Sequence, residues 1–207
     1  VVTPHLVEAQ FAGHDAPIAV DLDFRYSTAT TPLLRHYTRA HVHAFIELYM
    51  VAINHYFIIV PFTIYVFERA QPRMDKGVAK DGIHLMFCVN VSRDISIAIR
   101  AHALKTLATL SPTHVLYSLK QHLVNSWEDV LDLAVISRQN SWQMYGSCKP
   151  NCPPYIVTDA VHVEMSDNGE RFFIRHNYTS DETTHFNIRR SEEHTSELQS
   201  RLHLVCR

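Results

Sequence analysis

The chain has 207 residues, 46% of them hydrophobic. That is enough to bury a real core in one large domain or two small ones, and it excludes a disordered composition. Lys and Arg number 19 against 21 Asp and Glu, a net charge of −2, so bulk charge gives no support to nucleic-acid binding and any basic surface must be local. The 15 histidines are scattered rather than clustered, and Cys88, Cys148, Cys152 and Cys206 match neither a disulfide framework nor a paired zinc site.

The most apolar region, Ala44–Phe67, is interrupted by Glu47, Asn54, His55 and Pro61 and falls short of a membrane span. No signal peptide is visible, although the sequence begins without Met. The expectation is an intracellular protein with reduced thiols and no membrane partner.

In chain order, Pro17–Phe24 is the first predicted strand and the segment on which the rest is organised. Ile18, Ala19, Val20 and Leu22 are apolar, and Asp21 and Asp23 close the run. Side chains two apart in a strand share a face, so both carboxylates project together with Leu22 on the other side. Two adjacent carboxylates repel unless a cation lies between them, and hard cations such as Mg²⁺ take carboxylate oxygens while leaving positions for phosphates. The same residues also suit a strand that simply ends at a turn.

Ser27–Pro32 is predicted to be a loop. Thr38 caps a helix over Arg39–Tyr56, where Val42, Phe45, Ile46, Tyr49, Ile53 and Tyr56 recur at helical spacing. His41 and His43 are two apart, face different ways, and are expected to be surface or boundary residues. Phe62–Phe67 is a strand, Glu68–Asp81 a loop, and Gly82–Val89 a second strand candidate. Ile95–Leu110 and His114–Val124 are predicted helices, separated by Ser111–Pro112. Val130–Ile136, Trp142–Tyr145, Tyr155–Val163 and Arg171–Ile174 are predicted strands. Strands alternating with helices indicate an α/β or α+β fold around a central sheet. The tail Arg190–Ser200, RSEEHTSELQS, resembles a translated sequencing-adapter oligonucleotide. Residues 1–189 are therefore taken as the domain and 190–207 as a tail without function.

Two further stretches carry chemistry. In Lys80-Asp-Gly-Ile-His84, Gly82 permits close backbone approach, for example to a phosphate. His84 can offer a ring N–H to a phosphate oxygen, and Lys80 adds positive charge. A histidine at a strand start also serves purely structural ends. In VLDLAVI, Asp132 interrupts an apolar strand and needs a partner, which a metal would supply. It is followed by Gly146-Ser147-Cys148-Lys149-Pro150, a small-residue turn suited to polyphosphate contact.

A paired-carboxylate strand, a small-x-His strand and a hydrophobic-hydrophobic-Asp strand, in that order, resemble the archaeo-eukaryotic primase superfamily. DLDFRY, KDGIHLMF and VLDLAVI through WQMYGSCKP are similar to the primase part of primase–helicases from nucleocytoplasmic large DNA viruses, from about Pro17 to Tyr155. The resemblance implies an α/β unit joined to an RRM-like antiparallel sheet, with the active site in the cleft between them. It implies that Asp21, Asp23 and Asp132 are catalytic and hold two Mg²⁺ or Mn²⁺ ions. His84, Lys149, Lys80, Arg138 and Ser147 would bind the incoming nucleotide. Partners would be a single-stranded DNA template, NTP or dNTP, and a helicase domain in the full-length protein, at a viral replication site in the host cytoplasm or nucleus.

The sequence departs from the pattern at Asn140 and Gln143, where related primase-polymerases carry triphosphate-binding arginines, and at Cys88, where viral relatives have Pro. No GxxxxGK[ST] phosphate loop is present. Two other function classes share these features: a catalytically silent nucleic-acid-binding module and a metal-dependent nuclease.

Overall fold

The computed structural model describes residues 6–8, 10, 13–27, 33–56, 61–143, 152–165, 171–176 and 204–206, with 6–8, 164–165, 171–176 and 204–206 given by backbone alone. The strands are β1 (Leu6–Glu8), β2 (Ala16–Tyr26), β3 (Phe62–Arg69), β4 (Arg73–Asp75), β5 (Val78–Val91), β6 (Trp142–Gln143), β7 (Tyr155–Met165), β8 (Arg171–His176) and β9 (Leu204–Cys206). The helices are α1 (Arg39–Tyr56), α2 (Arg93–Ala108), α3 (Val115–Lys120), α4 (Trp127–Val130) and α5 (Leu133–Ile136). The result is the expected mixed α/β fold, built on an antiparallel sheet of order β2-β5-β3-β7-β8 with β4 added to β5. A separate small sheet runs β6-β1-β9, so Leu204–Cys206 of the tail pairs with Leu6–Glu8. The boundary at 189 lies outside the described residues, and among those described no helix is long and apolar enough to cross a membrane.

Alternation along β2 decides which face is core. Ile18, Val20, Leu22, Phe24 and Tyr26 are buried in the main cluster with Phe45, Tyr49 and Ile53 of α1 and Ile99 and Ala103 of α2. Asp21, Asp23 and Arg25 are only partly covered and lie on the opposite face. There, Ala19, Met86, Val135 and Trp142 form a second, smaller cluster that leaves the rest of that face as a cleft.

The predicted strands and helices mostly hold, with corrections where local chemistry was misread. The Glu68–Asp81 loop is instead the end of β3 followed by the β4–β5 hairpin. Lys76 (φ 51°) and Gly77 (φ 80°) form its turn, two left-handed residues whose twist matches that of the flanking strands. His41 is buried rather than superficial, its ring nitrogens taken by the Thr38 hydroxyl at 2.9 Å and the Ser118 hydroxyl at 3.1 Å.

The helix predicted over His114–Val124 stops at Lys120, because the chain is then needed along β2. Leu123 forms a bridge to Tyr26, and the Val124 N–H donates to the Arg25 carbonyl at 2.9 Å. The VLDLAVI strand is likewise absent. Trp127–Val130 and Leu133–Ile136 are single helical turns, and between them Leu131 forms a bridge to Leu22 of the sheet.

β2 is therefore an edge strand whose outward backbone groups are met one by one. The Asp132 N–H donates to the Asp21 carbonyl at 3.1 Å. The Asn125 amide donates to the Asp23 carbonyl at 2.8 Å, and its oxygen accepts from the Arg25 N–H at 3.2 Å. Edge groups left bare cost stability and invite pairing with other chains. Asn125→Ala strips two of these bonds from a buried position and should cost about 1–3 kcal/mol. The check is a urea or thermal melt, where an unchanged midpoint would contradict this account of the edge.

Candidate active site

The cleft on the polar face of the sheet encloses about 220 Å³. Asp21 and Asp23 reach it from β2, Lys80 and His84 from β5, and Asp132 from the turn before α5. The register explains the first four, since Asp21 lies opposite His84, Asp23 opposite Gly82 and Arg25 opposite Lys80, and cross-strand partners share a face. Asp132 arrives differently. It caps α5, its Oδ1 accepting the Ala134 N–H at 2.8 Å, while its own N–H is tied to the Asp21 carbonyl.

The carboxylates are already engaged. Asp21 Oδ1 is 3.6 Å from His84 Nε2, and Asp23 Oδ2 takes Arg25 Nη2 at 3.0 Å. Among the described residues no three His, Cys, Asp or Glu side chains converge as a ready-made metal cage. The donor chemistry nevertheless suits a hard divalent cation, with the carboxylates of Asp21, Asp23 and Asp132 on one small cleft.

His84 is buried, and its ring lies against two others. The Tyr155 ring stacks on it with centroids 3.6 Å apart at 24°, and the Trp142 ring lies 4.6 Å away. Gly82 makes this stack possible. A Cβ there would sit 2.8 Å from the Leu22 carbonyl oxygen and 3.0 Å from the Tyr155 hydroxyl. The close approach that Gly82 permits is thus to its own neighbouring strand and to Tyr155, rather than to a phosphate. Burial raises the Tyr155 phenol above its usual pKa, reinforced by the nearby charge of Asp21.

Behind the cleft, Arg35 grips Asp81 through Nε at 2.8 Å and Nη2 at 3.1 Å, and also donates to the Arg69 carbonyl at 2.6 Å. Burial raises the Asp81 carboxyl pKa, and Arg35 opposes that rise. Arg39 and the Thr158 hydroxyl both bond Glu68 on the same side. This network fixes the ends of β3 and β5 that carry the cleft.

Of the remaining sequence-derived candidates, Arg138 does not line the cleft. Its guanidinium donates to the carbonyls of His14 and Val91. Ser147 and Lys149 lie outside the described residues. Sequence reasoning missed Arg69, Arg73, Trp142 and Tyr155, all of which line the cleft. Arg69 was within reach, since it continues the alternation Tyr65, Phe67, Arg69 on one face of β3, but ending the strand at Phe67 hid it.

Gly82→Ala should overpack this point by about 1–3 kcal/mol and displace Tyr155 from His84. The measurement is the melting temperature, together with solvent accessibility of Tyr155 by absorbance perturbation. A variant as stable as the parent, with Tyr155 still covered, would contradict the packing.

A family model described as the C962R protein N-terminal AEP domain matches residues 1–161. The chain is 29% identical over 161 residues to the protein named "Putative helicase L207/L206" of Acanthamoeba polyphaga mimivirus, a match covering 75% of this chain and 16% of that protein. The chain therefore spans less than a fifth of that relative's length.

Proposed function

The chain belongs to the archaeo-eukaryotic primase family of the C962R protein N-terminal domain, and on that membership we propose that it performs DNA-templated nucleotidyl transfer, starting primers for viral or virus-like DNA replication. Membership points to primase-type nucleotidyl transfer in general; primer synthesis, the metals and the viral setting are the proposal. The observation that carries it is the meeting of Asp21, Asp23 and Asp132 with His84 and Lys80 on one small cleft.

In this reading Asp21, Asp23 and Asp132 hold Mg²⁺ or Mn²⁺. Such ions, when bound, stabilise charge on the attacking and leaving oxygens of the transfer. Asp23 would exchange Arg25 for the ion, and that arginine, next to Lys80 across the strands, would turn to the nucleic acid or nucleotide. His84, clamped by Tyr155 and Trp142, offers its ring N–H to a phosphate oxygen. Lys80 and Lys149 would neutralise the departing pyrophosphate, with the Ser147 hydroxyl as a further hydrogen-bond donor. Positioning and charge stabilisation do most of the work, and little acid–base chemistry is asked of the protein. The partners would be single-stranded DNA and NTP or dNTP. The helicase name of the mimivirus relative suggests a helicase domain beyond this chain, acting where viral DNA is copied in the host cytoplasm or nucleus.

One observation favours a second reading, a silent nucleic-acid-binding module. Asp23 is already paired with Arg25 at 3.0 Å.

Nucleotide incorporation on single-stranded DNA with Mn²⁺ or Mg²⁺ separates the readings. The wild type should give metal-dependent product, and Asp21→Ala/Asp23→Ala should reduce it at least about 10²-fold. Equal inactivity of two folded, DNA-binding proteins would replace this reading with the silent module, and shortening of the DNA would replace it with a nuclease.

A further inference from the structure

We propose that Arg69 and Arg73, from the β3–β4 side of the cleft, form the subsite that grips the polyphosphate of the incoming nucleotide. The inference rests on the nucleotidyl-transfer reading for the identity of the nucleotide, but its anion chemistry stands on separate observations.

The cleft has two unlike sides. Asp21, Asp23, Asp132 and the Arg35-bound Asp81 are acidic, while Arg69, Arg73 and Lys80 are basic. Lys80 and Arg73 share the Asp75 carboxylate, at 2.9 Å and 3.5 Å. Arg69 is different. It is buried, its guanidinium lies over the Tyr155 ring with Cζ 4.4 Å from the centroid, its Nε has no hydrogen-bond partner, and no carboxylate among the described residues pairs with it. The Nε of Arg73 is equally buried and unpartnered, while the Nη2 of the same guanidinium forms an ion pair with Asp75 at 3.5 Å. Trp142 Nε1 and Gln143 Nε2, which line the same cleft, are also buried donors without acceptors.

Buried donors are almost always satisfied, and guanidinium groups remain charged at any ordinary pH. Four unpartnered donor nitrogens on residues that line one 220 Å³ cleft, one of them on a buried cation with no carboxylate partner, call for an anion with several acceptor oxygens. The planar fork of arginine matches phosphate oxygens in pairs. Arg69 is also held ready, its carbonyl tied to Arg35 at 2.6 Å and its side chain laid on Tyr155. A polyphosphate placed here would lie between the arginines and the three carboxylates, where divalent ions could bridge it.

The test uses the whole chain and inorganic tripolyphosphate, titrated by calorimetry with and without Mg²⁺, against wild type, Arg69→Met and Arg73→Met. Arg73→Met, at the more open position, guards against a folding defect in the other variant. Each substitution should weaken tripolyphosphate binding about tenfold or more. In incorporation assays each should raise KM for the nucleotide more than it lowers kcat, with partial recovery in Arg69→Lys. Tripolyphosphate binding within twofold of wild type in both variants, no binding by the wild type, or a loss confined to DNA binding would each overturn the proposal. If binding depends on the arginines and no protein makes nucleotide product, the anion subsite stands and nucleotidyl transfer falls.

Discussion

β2 is an edge strand, and the way its open side is closed shapes everything around it. Among the described residues no further strand pairs with it there. Instead Leu123, Val124, Asn125, Leu131 and Asp132 satisfy its outward backbone groups in succession, from Tyr26 back to Asp21. Satisfying buried backbone polar groups is close to obligatory. Here the same hydrogen bonds have a second consequence. The one that completes the Asp21 carbonyl places Asp132 beside Asp21, from a segment more than 100 residues away in sequence.

The strand's alternation does the rest. Leu22 and Phe24 are wholly buried against the helices, so Asp21, Asp23 and Arg25 must lie on the other face. Antiparallel register then sets His84, Gly82 and Lys80 across from them. Gly82 has no side chain to fill its place, and Tyr155 lies close enough that a Cβ would touch its hydroxyl. That ring in turn supports His84 on one side and Arg69 on the other, at 3.6 Å and 4.4 Å. An acidic half and a basic half thus share one cleft without neutralising each other, an arrangement suited to a polyphosphate and its divalent cation.

Much of this was legible in the sequence because it depends on local periodicity. The period-2 pattern of PIAVDLDFRY predicts both the strand and the shared face of its aspartates, and the helical spacing from Val42 to Tyr56 predicts α1 to the residue. What the sequence hid depends on long-range placement. VLDLAVI is as apolar as a strand, but its backbone is spent on closing the β2 edge, so it folds as two helical turns around a one-residue bridge. Arg69 and Tyr155 enter the site through sheet register, and Arg138 leaves it because the Val91 and His14 carbonyls claim its guanidinium. No pattern within a single segment carries that information.

The most direct test of the central claim is anomalous diffraction from crystals of this chain grown with Mn²⁺ and a nucleoside triphosphate. The account predicts manganese density in contact with the carboxylates of Asp21, Asp23 and Asp132, with the phosphates on the side of His84, Arg69 and Arg73. Manganese bound elsewhere, or a triphosphate seated away from this cleft, would contradict it.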